Sequence, residues 1–272
     1  MSPRTKRLLL RFFLIVTAGY LLICCLAYFL QEKLIFYPEK LPDDYRFRFP
    51  AAHEELQFTM ADGVQLHGVL FKADSSRRLI FYLHGNAGSL AGWGEAADFY
   101  TASGYDVFML DYRGYGKSEG KINGQQRFFD DVQSVYDSLS ARYAVRETII
   151  LGYSIGTGAA TWLAAHNDAR MLILQAPYYS LTDMMQHYYP VLPTFVLKYR
   201  FETFRFLPQC KMPVTIFHGD ADEVIYYGSS QKLSTLFKPG DTLITLQEAG
   251  HNNLSDRPDY QEAFLQAVGK GQ

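Results

Sequence analysis

Thr148-Ile149-Ile150-Leu151-Gly152-Tyr153-Ser154-Ile155-Gly156-Thr157-Gly158-Ala159-Ala160 is the stretch that decides the fold of this chain. The apolar run Thr148 to Leu151 reads as a buried strand. The small, apolar residues after Gly156 read as a helix. Between them lies G-x-S-x-G, a sharp turn with Ser154 at its apex. Gly152 and Gly156 lack a Cβ, so the turn is tight and the strand and helix approach closely. The serine is then pushed outward, with a helix N-terminus behind it that favours developing negative charge. Alone the motif is weak, since glycine and serine are common enough for it to arise by chance in roughly one chain in ten of this length. Its weight depends on partners for Ser154.

Working outward, short apolar runs recur at Leu79 to Leu83, Val107 to Leu110, Met171 to Leu174, Val214 to Phe217 and Leu243 to Leu246. Runs of this length between helical stretches read as parallel strands buried on both faces. Upstream, Leu56 to Met60 and Val64 to Phe71 flank Asp62-Gly63, a hairpin signal. Val132, Val135, Tyr136 and Leu139 recur at helical spacing and read as the packing face of a helix. The expected fold is α/β, an eight-stranded, mostly parallel sheet flanked by helices. One stretch breaks the alternation: residues 178–208, after the sixth strand, are rich in Tyr and Phe and too long for a crossover loop. They read either as a small cap insertion over the site or as a helix packing its aromatics into the core.

Serine needs a base, and the base an orienting acid. His251, in Gly250-His251-Asn252, follows the last strand. Asp222 follows the seventh, in His218-Gly219-Asp220-Ala221-Asp222. The order Ser, Asp, His suits an elbow-type site, and all three fall at strand C-termini, where open α/β sheets bind ligands. Asp220 is the rival acid, though its nearness to the strand end equally suits a turn-stabilising role. His53, His166 and His187 read as surface or packing residues. His67 falls in the hairpin, and His84 and His218 read as structural hydrogen-bonders. No pair has metal spacing, and no metal or other cofactor is expected. An oxyanion hole requires two backbone N–H groups. Ile155 is expected to supply one and Asn86, in His84-Gly85-Asn86-Ala87-Gly88, the other, with Ala87 as an alternative.

These motifs, together with Asp111-Tyr112-Arg113-Gly114-Tyr115-Gly116-Lys117-Ser118, occur in the order seen in α/β-hydrolases. From Phe36 onward the chain resembles the N-terminally membrane-anchored branch related to serine aminopeptidase-like hydrolases and to protein depalmitoylases. The resemblance implies the fold, hydrolase activity and the set Ser154, Asp222 and His251. Tyr153 is a departure, because related anchored proteins often carry arginine there. Tyr153, Tyr178 and Tyr179 are expected to border the substrate pocket.

At the N-terminus, Phe12 to Leu30 is uncharged and mostly apolar, behind Arg4, Lys6, Arg7 and Arg11. As a helix it spans about 28 Å, close to the hydrocarbon thickness of a bilayer. A cleavable signal peptide would have a shorter apolar region and a small-x-small cleavage site; Ala27-Tyr28-Phe29 is a poor one. The expected organisation is therefore a cytoplasmic basic end (1–11), an uncleaved transmembrane helix (12–30), a juxtamembrane linker (31–50) and the α/β domain (51–272). The basic residues place the domain on the non-cytoplasmic side, the periplasm in a bacterium. Leu34 to Pro38 is expected at the membrane interface.

The net charge of -2, without a Lys/Arg-rich block in the body of the chain, gives no reason to expect nucleic-acid binding. With Cys24 and Cys25 adjacent and only Cys210 elsewhere, no disulfide framework is legible. The expected activity is hydrolysis of an apolar acyl ester or thioester, drawn from a lipid-like or acylated small-molecule or protein substrate. The alternatives are a peptidase or amidase of the same fold, or a membrane-anchored binding protein without turnover.

Overall fold

The computed structural model describes residues 1–74 and 76–269. Eight strands form one sheet: β1 His53–Thr59, β2 Gln65–Phe71, β3 Leu79–Leu83, β4 Asp106–Leu110, β5 Thr148–Tyr153, β6 Met171–Gln175, β7 Val214–Gly219 and β8 Thr242–Leu246. Their spatial order is β8-β7-β6-β5-β3-β4-β2-β1. β1 pairs antiparallel with β2, and β2 with β4; every other pairing is parallel. This is the sheet expected from the sequence. β3 to β7 are buried at every position, as uninterrupted apolar runs require. The edge strand β1 mixes exposed and half-buried positions, alternating from Glu55 to Thr59.

Strand alternation divides the core in two. Leu79, Phe81 and Leu83 of β3 face one layer; Ile80 and Tyr82 face the other. The first layer is covered by the helix Gln125–Ser140, which buries Phe128, Val132, Val135, Tyr136 and Leu139 on one stripe. The second is covered by the helix Pro258–Gly269 through Tyr260, Phe264 and Val268. After β3 the chain moves to β4 on one side, then returns to β5 on the other. The crevice at the C-terminal ends of β3 and β5 is therefore a topological switch point, the usual ligand site of such sheets.

The stretch after β6 forms the helix Leu181–Tyr188, a 3-10 turn at Thr194–Val196 and the short helix Thr203–Phe206. Its aromatics divide between core and surface, and the core-packing reading holds for some of them. Tyr178, Tyr199 and Phe201 are buried in the core, whereas Tyr188, Tyr189 and Phe195 are exposed.

A single helix, α1, runs Pro3–Ile35, beyond the apolar run at both ends. Ser2 caps its start by accepting from the Thr5 N–H. The helix is long and apolar enough to cross a membrane. One expectation for the following residues is corrected at Phe36, which packs in the core against Tyr199 and Phe128 instead of lying at an interface, while Leu34 and Tyr37 are exposed. Much of the stretch 31–50 is laid onto the α/β body. Tyr37–Pro38 pairs with Ala87–Gly88, Lys40 bridges to Gly116, and Leu41 and Phe47 are buried. Apolar side chains in this stretch gain more from docking on the sheet than from solvent exposure.

Candidate active site

Ser154 sits at the end of β5 with φ of 51°, left-handed backbone that a non-glycine residue adopts at a cost of about 1–3 kcal/mol. The neighbourhood enforces it. The Ser154 N–H donates to the Gln175 carbonyl at 2.9 Å, and the Ser154 carbonyl accepts from the Thr157 hydroxyl at 2.6 Å. A Cβ on Gly156 would come 2.1 Å from the Leu83 carbonyl oxygen, and one on Gly152 would come 2.7 Å from Ala160. Only glycine lets the elbow helix Gly156–His166 close against β3 and β5.

The structure brings Ser154, Asp222 and His251 together. His251 Nε2 lies 3.1 Å from Ser154 Oγ, and His251 Nδ1 lies 2.7 Å from Asp222 Oδ2. All three residues are buried, with Ser154 5% exposed. A carboxylate only accepts hydrogen bonds, so Nδ1 carries the proton facing Asp222 and Nε2 is the acceptor for the Ser154 hydroxyl. The other Asp222 oxygen accepts from the Val224 and Ile225 N–H groups, both at 2.8 Å. Burial pushes the Asp222 carboxyl up. Hydrogen bonds from His218 and His251 and from the backbone N–H of Ile225 outweigh that and hold it well below the usual aspartate range.

Asp220 faces elsewhere. Its Oδ1 accepts the Glu248 N–H at 2.7 Å, tying the turn after β7 to the turn after β8. The two turns touch closely enough that a Cβ on Gly219 would meet the Ala249 carbonyl at 2.1 Å. That contact sets the His251 loop over the sheet edge. His218 bonds Ser230 Oγ at 2.6 Å and the Ile225 carbonyl at 2.8 Å, a structural role that also brings its Nε2 to 3.2 Å from Asp222. His84 is fully buried beside Tyr112, with its pKa lowered by burial. His187 stacks on Tyr226, His166 lies tilted against Trp162, and His67 bonds Glu55.

Asn86 and Ile155 stand at the ends of β3 and β5, neighbours in the sheet. Among the described residues, neither backbone N–H has an acceptor. The Asn86 loop is held from three sides: its carbonyl accepts from the Tyr37 N–H at 2.9 Å and the Tyr115 hydroxyl at 2.6 Å, and its side-chain amide donates to the Ile35 carbonyl at 3.0 Å. Sequence reasoning missed this last tie, because nothing local links residue 35 to residue 86.

A cleft of about 330 Å³ opens beside the site, between Tyr153 and Trp93 on one side and Asn252 on the other. Tyr153 is edge-on to Trp93 and donates its hydroxyl to the His251 carbonyl. Glu39, Glu95 and Asp256 also line the cleft. The other two tyrosines expected at the pocket lie elsewhere. Tyr178 is fully buried under the elbow helix, its hydroxyl spent on the Ile155 carbonyl at 3.0 Å. Tyr179 stacks on Phe204, with ring centroids 4.7 Å apart.

The fold and the elbow define the class: the chain is an α/β-hydrolase. A family model described as serine aminopeptidase, S33, matches residues 74–206. The chain is 30% identical over 200 residues to alpha/beta hydrolase domain-containing protein 17B of Xenopus laevis, covering 71% of this chain and 67% of that protein. It is 27% identical over 272 residues to the uncharacterized protein YfhR of Salmonella typhimurium, covering 92% and 89%. It belongs to the α/β-hydrolase family that these proteins represent. Among solved structures, the Pyrococcus furiosus esterase Pf2001 superposes with a TM-score of 0.66 at 18% identity, covering 87% of this chain and 97% of that one. Est1E of Butyrivibrio proteoclasticus, solved with ferulic acid, gives 0.65 at 18%, covering 79% and 99%. At these identities the structural likeness speaks for the fold alone.

Proposed function

We propose that this protein is a membrane-anchored serine hydrolase that cleaves an apolar acyl ester or thioester through an acyl-enzyme. The observation that carries the reading is the chain of contacts from Ser154 Oγ to His251 at 3.1 Å and on to Asp222 at 2.7 Å, at the ends of three strands. His251 Nε2 takes the Ser154 proton as Oγ bonds to the acyl carbon. The Asn86 and Ile155 N–H groups hold the oxyanion. The tetrahedral adduct collapses, the bond to the leaving oxygen or sulfur breaks, and the leaving group takes the proton from His251. Water, deprotonated by His251, then attacks the acyl carbon; the bond from that carbon to Ser154 Oγ breaks, Oγ takes the proton back from His251, and the acid leaves. Asp222 orients the ring and stabilises its charged form throughout.

α1 is read as the anchor, with residues 12–30 in the bilayer and Arg4, Lys6, Arg7 and Arg11 on the cytoplasmic side. The substrate preference rests on the aromatic insertion, the position beside a membrane and the resemblance to depalmitoylases. Activity over an ester series of increasing chain length tests it; preference for short, polar acyl groups would contradict it. Alkaline carbonate tests the anchor, which requires that the protein stay with the membrane.

One observation favours a second reading, a peptidase or amidase. Glu39, Glu95 and Asp256 around the cleft suit a substrate that carries an amine. Faster turnover of aminoacyl amides than of any acyl ester in the series would decide for it.

A further inference from the structure

The insertion after β6 is fastened along one side of α1. The Tyr20 hydroxyl donates to the Val191 carbonyl at 2.8 Å. Further along, the buried Gln31 side chain donates to the Val196 carbonyl at 3.1 Å and accepts from the Lys198 N–H at 2.7 Å. Lys198 also reaches Glu32 and lies over the Tyr28 ring. From Tyr20 to Gln31 is about 16 Å along a helix. Residues 191–198 thus run beside the half of the apolar run nearer the α/β body.

This flanking segment has an unusual surface. From Tyr188 to Leu197 the sequence carries no charge, and Lys198 and Arg200 follow immediately. Tyr189, Val191 and Phe195 are 62%, 75% and 77% exposed, on a protein that buries most of its other large aromatics. Its backbone is partly supplied with partners. Pro190 and Pro193 bring no N–H. The N–H groups of Tyr189, Leu192, Val196 and Leu197 find acceptors within the segment or on Met185, whereas those of Val191, Thr194 and Phe195 have none among the described residues. Tyr20 and Gln31 supply donors to the Val191 and Val196 carbonyls. A segment whose backbone is met by protein in part suits the interfacial zone of a bilayer, where water still reaches the remaining groups, rather than the hydrocarbon core.

We infer that the insertion is a second membrane contact: Tyr189, Val191 and Phe195 enter the bilayer alongside α1, with Lys198 and Arg200 at the level of the phosphate headgroups. This rests on α1 spanning the membrane. The occupant of the apolar face is lipid, because the face continues the flank of a helix that itself requires lipid, and basic residues border it. Depth then has a functional consequence. The Tyr188 hydroxyl donates to the Val224 carbonyl at 3.2 Å, and the Val224 N–H donates to Asp222. The membrane-facing edge therefore ends at the loop that carries the proposed catalytic acid. The loop that carries the proposed catalytic acid is thereby held near the bilayer surface.

Tryptophan quenching by brominated lipid chains tests this on the full-length protein in phosphatidylcholine nanodiscs. Phe195→Trp is compared with Phe13→Trp on α1 and Leu265→Trp on the opposite side of the sheet; Trp93 and Trp162 are a constant background. The emission added at 195 and at 13 should be largely lost with brominated chains, and that added at 265 retained. Quenching at 13 without quenching at 195 would overturn the inference while leaving the anchor standing. No quenching at 13 would overturn the anchor, and this inference with it.

Discussion

The side-chain amide of Asn86 donates to the carbonyl of Ile35, the last residue of α1, at 3.0 Å. The end of α1 is thus bonded to the loop proposed to hold the oxyanion. One of the orphan carbonyls that every helix leaves at its C-terminus is satisfied by a residue of the site. Asn86→Ala keeps the backbone N–H and removes only this tie. With about 1 kcal/mol for such a bond, the expected effect is a fall in kcat of about five-fold on a soluble ester, with little change in thermal stability. An unchanged kcat would show that the loop is positioned without α1.

Tyr153 ties the residue before Ser154 to the carbonyl of His251. Tyr153→Phe keeps the ring that lines the cleft and loses the hydroxyl. Turnover should fall several-fold, about 1 kcal/mol in barrier, while KM changes little. A change confined to KM would make Tyr153 a substrate-contacting residue alone.

The acid limb of stability is expected to depend on Asp222. Its folded pKa lies below the unfolded value of about 3.9, so the unfolded chain takes up a proton that the folded chain does not. The stabilisation is present above the unfolded pKa and is lost as pH falls through the folded one. Below about pH 4 the wild-type melting temperature should therefore drop more steeply than that of Asp222→Asn. Equal slopes would contradict this. The same variant should lose roughly three to four orders of magnitude in kcat, because His251 is no longer held in the required tautomer.

Gly156→Ala places a methyl group against the Leu83 carbonyl, which is main chain and has little room to move. A loss of about 1–3 kcal/mol in urea unfolding is expected, together with loss of activity as the elbow shifts. Gly92→Ala, where an added Cβ meets nothing within 4 Å, serves as the control and should leave stability within about 0.5 kcal/mol.

The sheet was legible because its strands are short, uniformly apolar and separated by turn residues, so periodicity and length agree. The elbow was legible because Gly152 and Gly156 are local requirements of one tight turn. The sequence favours Asp222 as the acid, with Asp220 two residues away as its rival. Only the fold shows that one faces His251 and the other pins the Glu248 N–H. The pocket was the least legible part. Tyr153, Tyr178 and Tyr179 are close in sequence or in the sheet, yet one lines a cleft, one is core and one stacks on Phe204. Side-chain direction at the ends of strands is set by tertiary packing, which leaves no periodic trace. The docking of 36–49 onto the body escaped for the same reason, since its partners lie in loops far along the chain.

The central claim is that Ser154 is the nucleophile. Reaction of the full-length protein with a fluorophosphonate, followed by peptide mass mapping, tests it most directly. The account predicts one phosphonyl adduct on the peptide containing Ser154, and none on Ser154→Ala. A folded wild-type protein that takes no label, or a Ser154→Ala variant that labels as well as wild type, would contradict it.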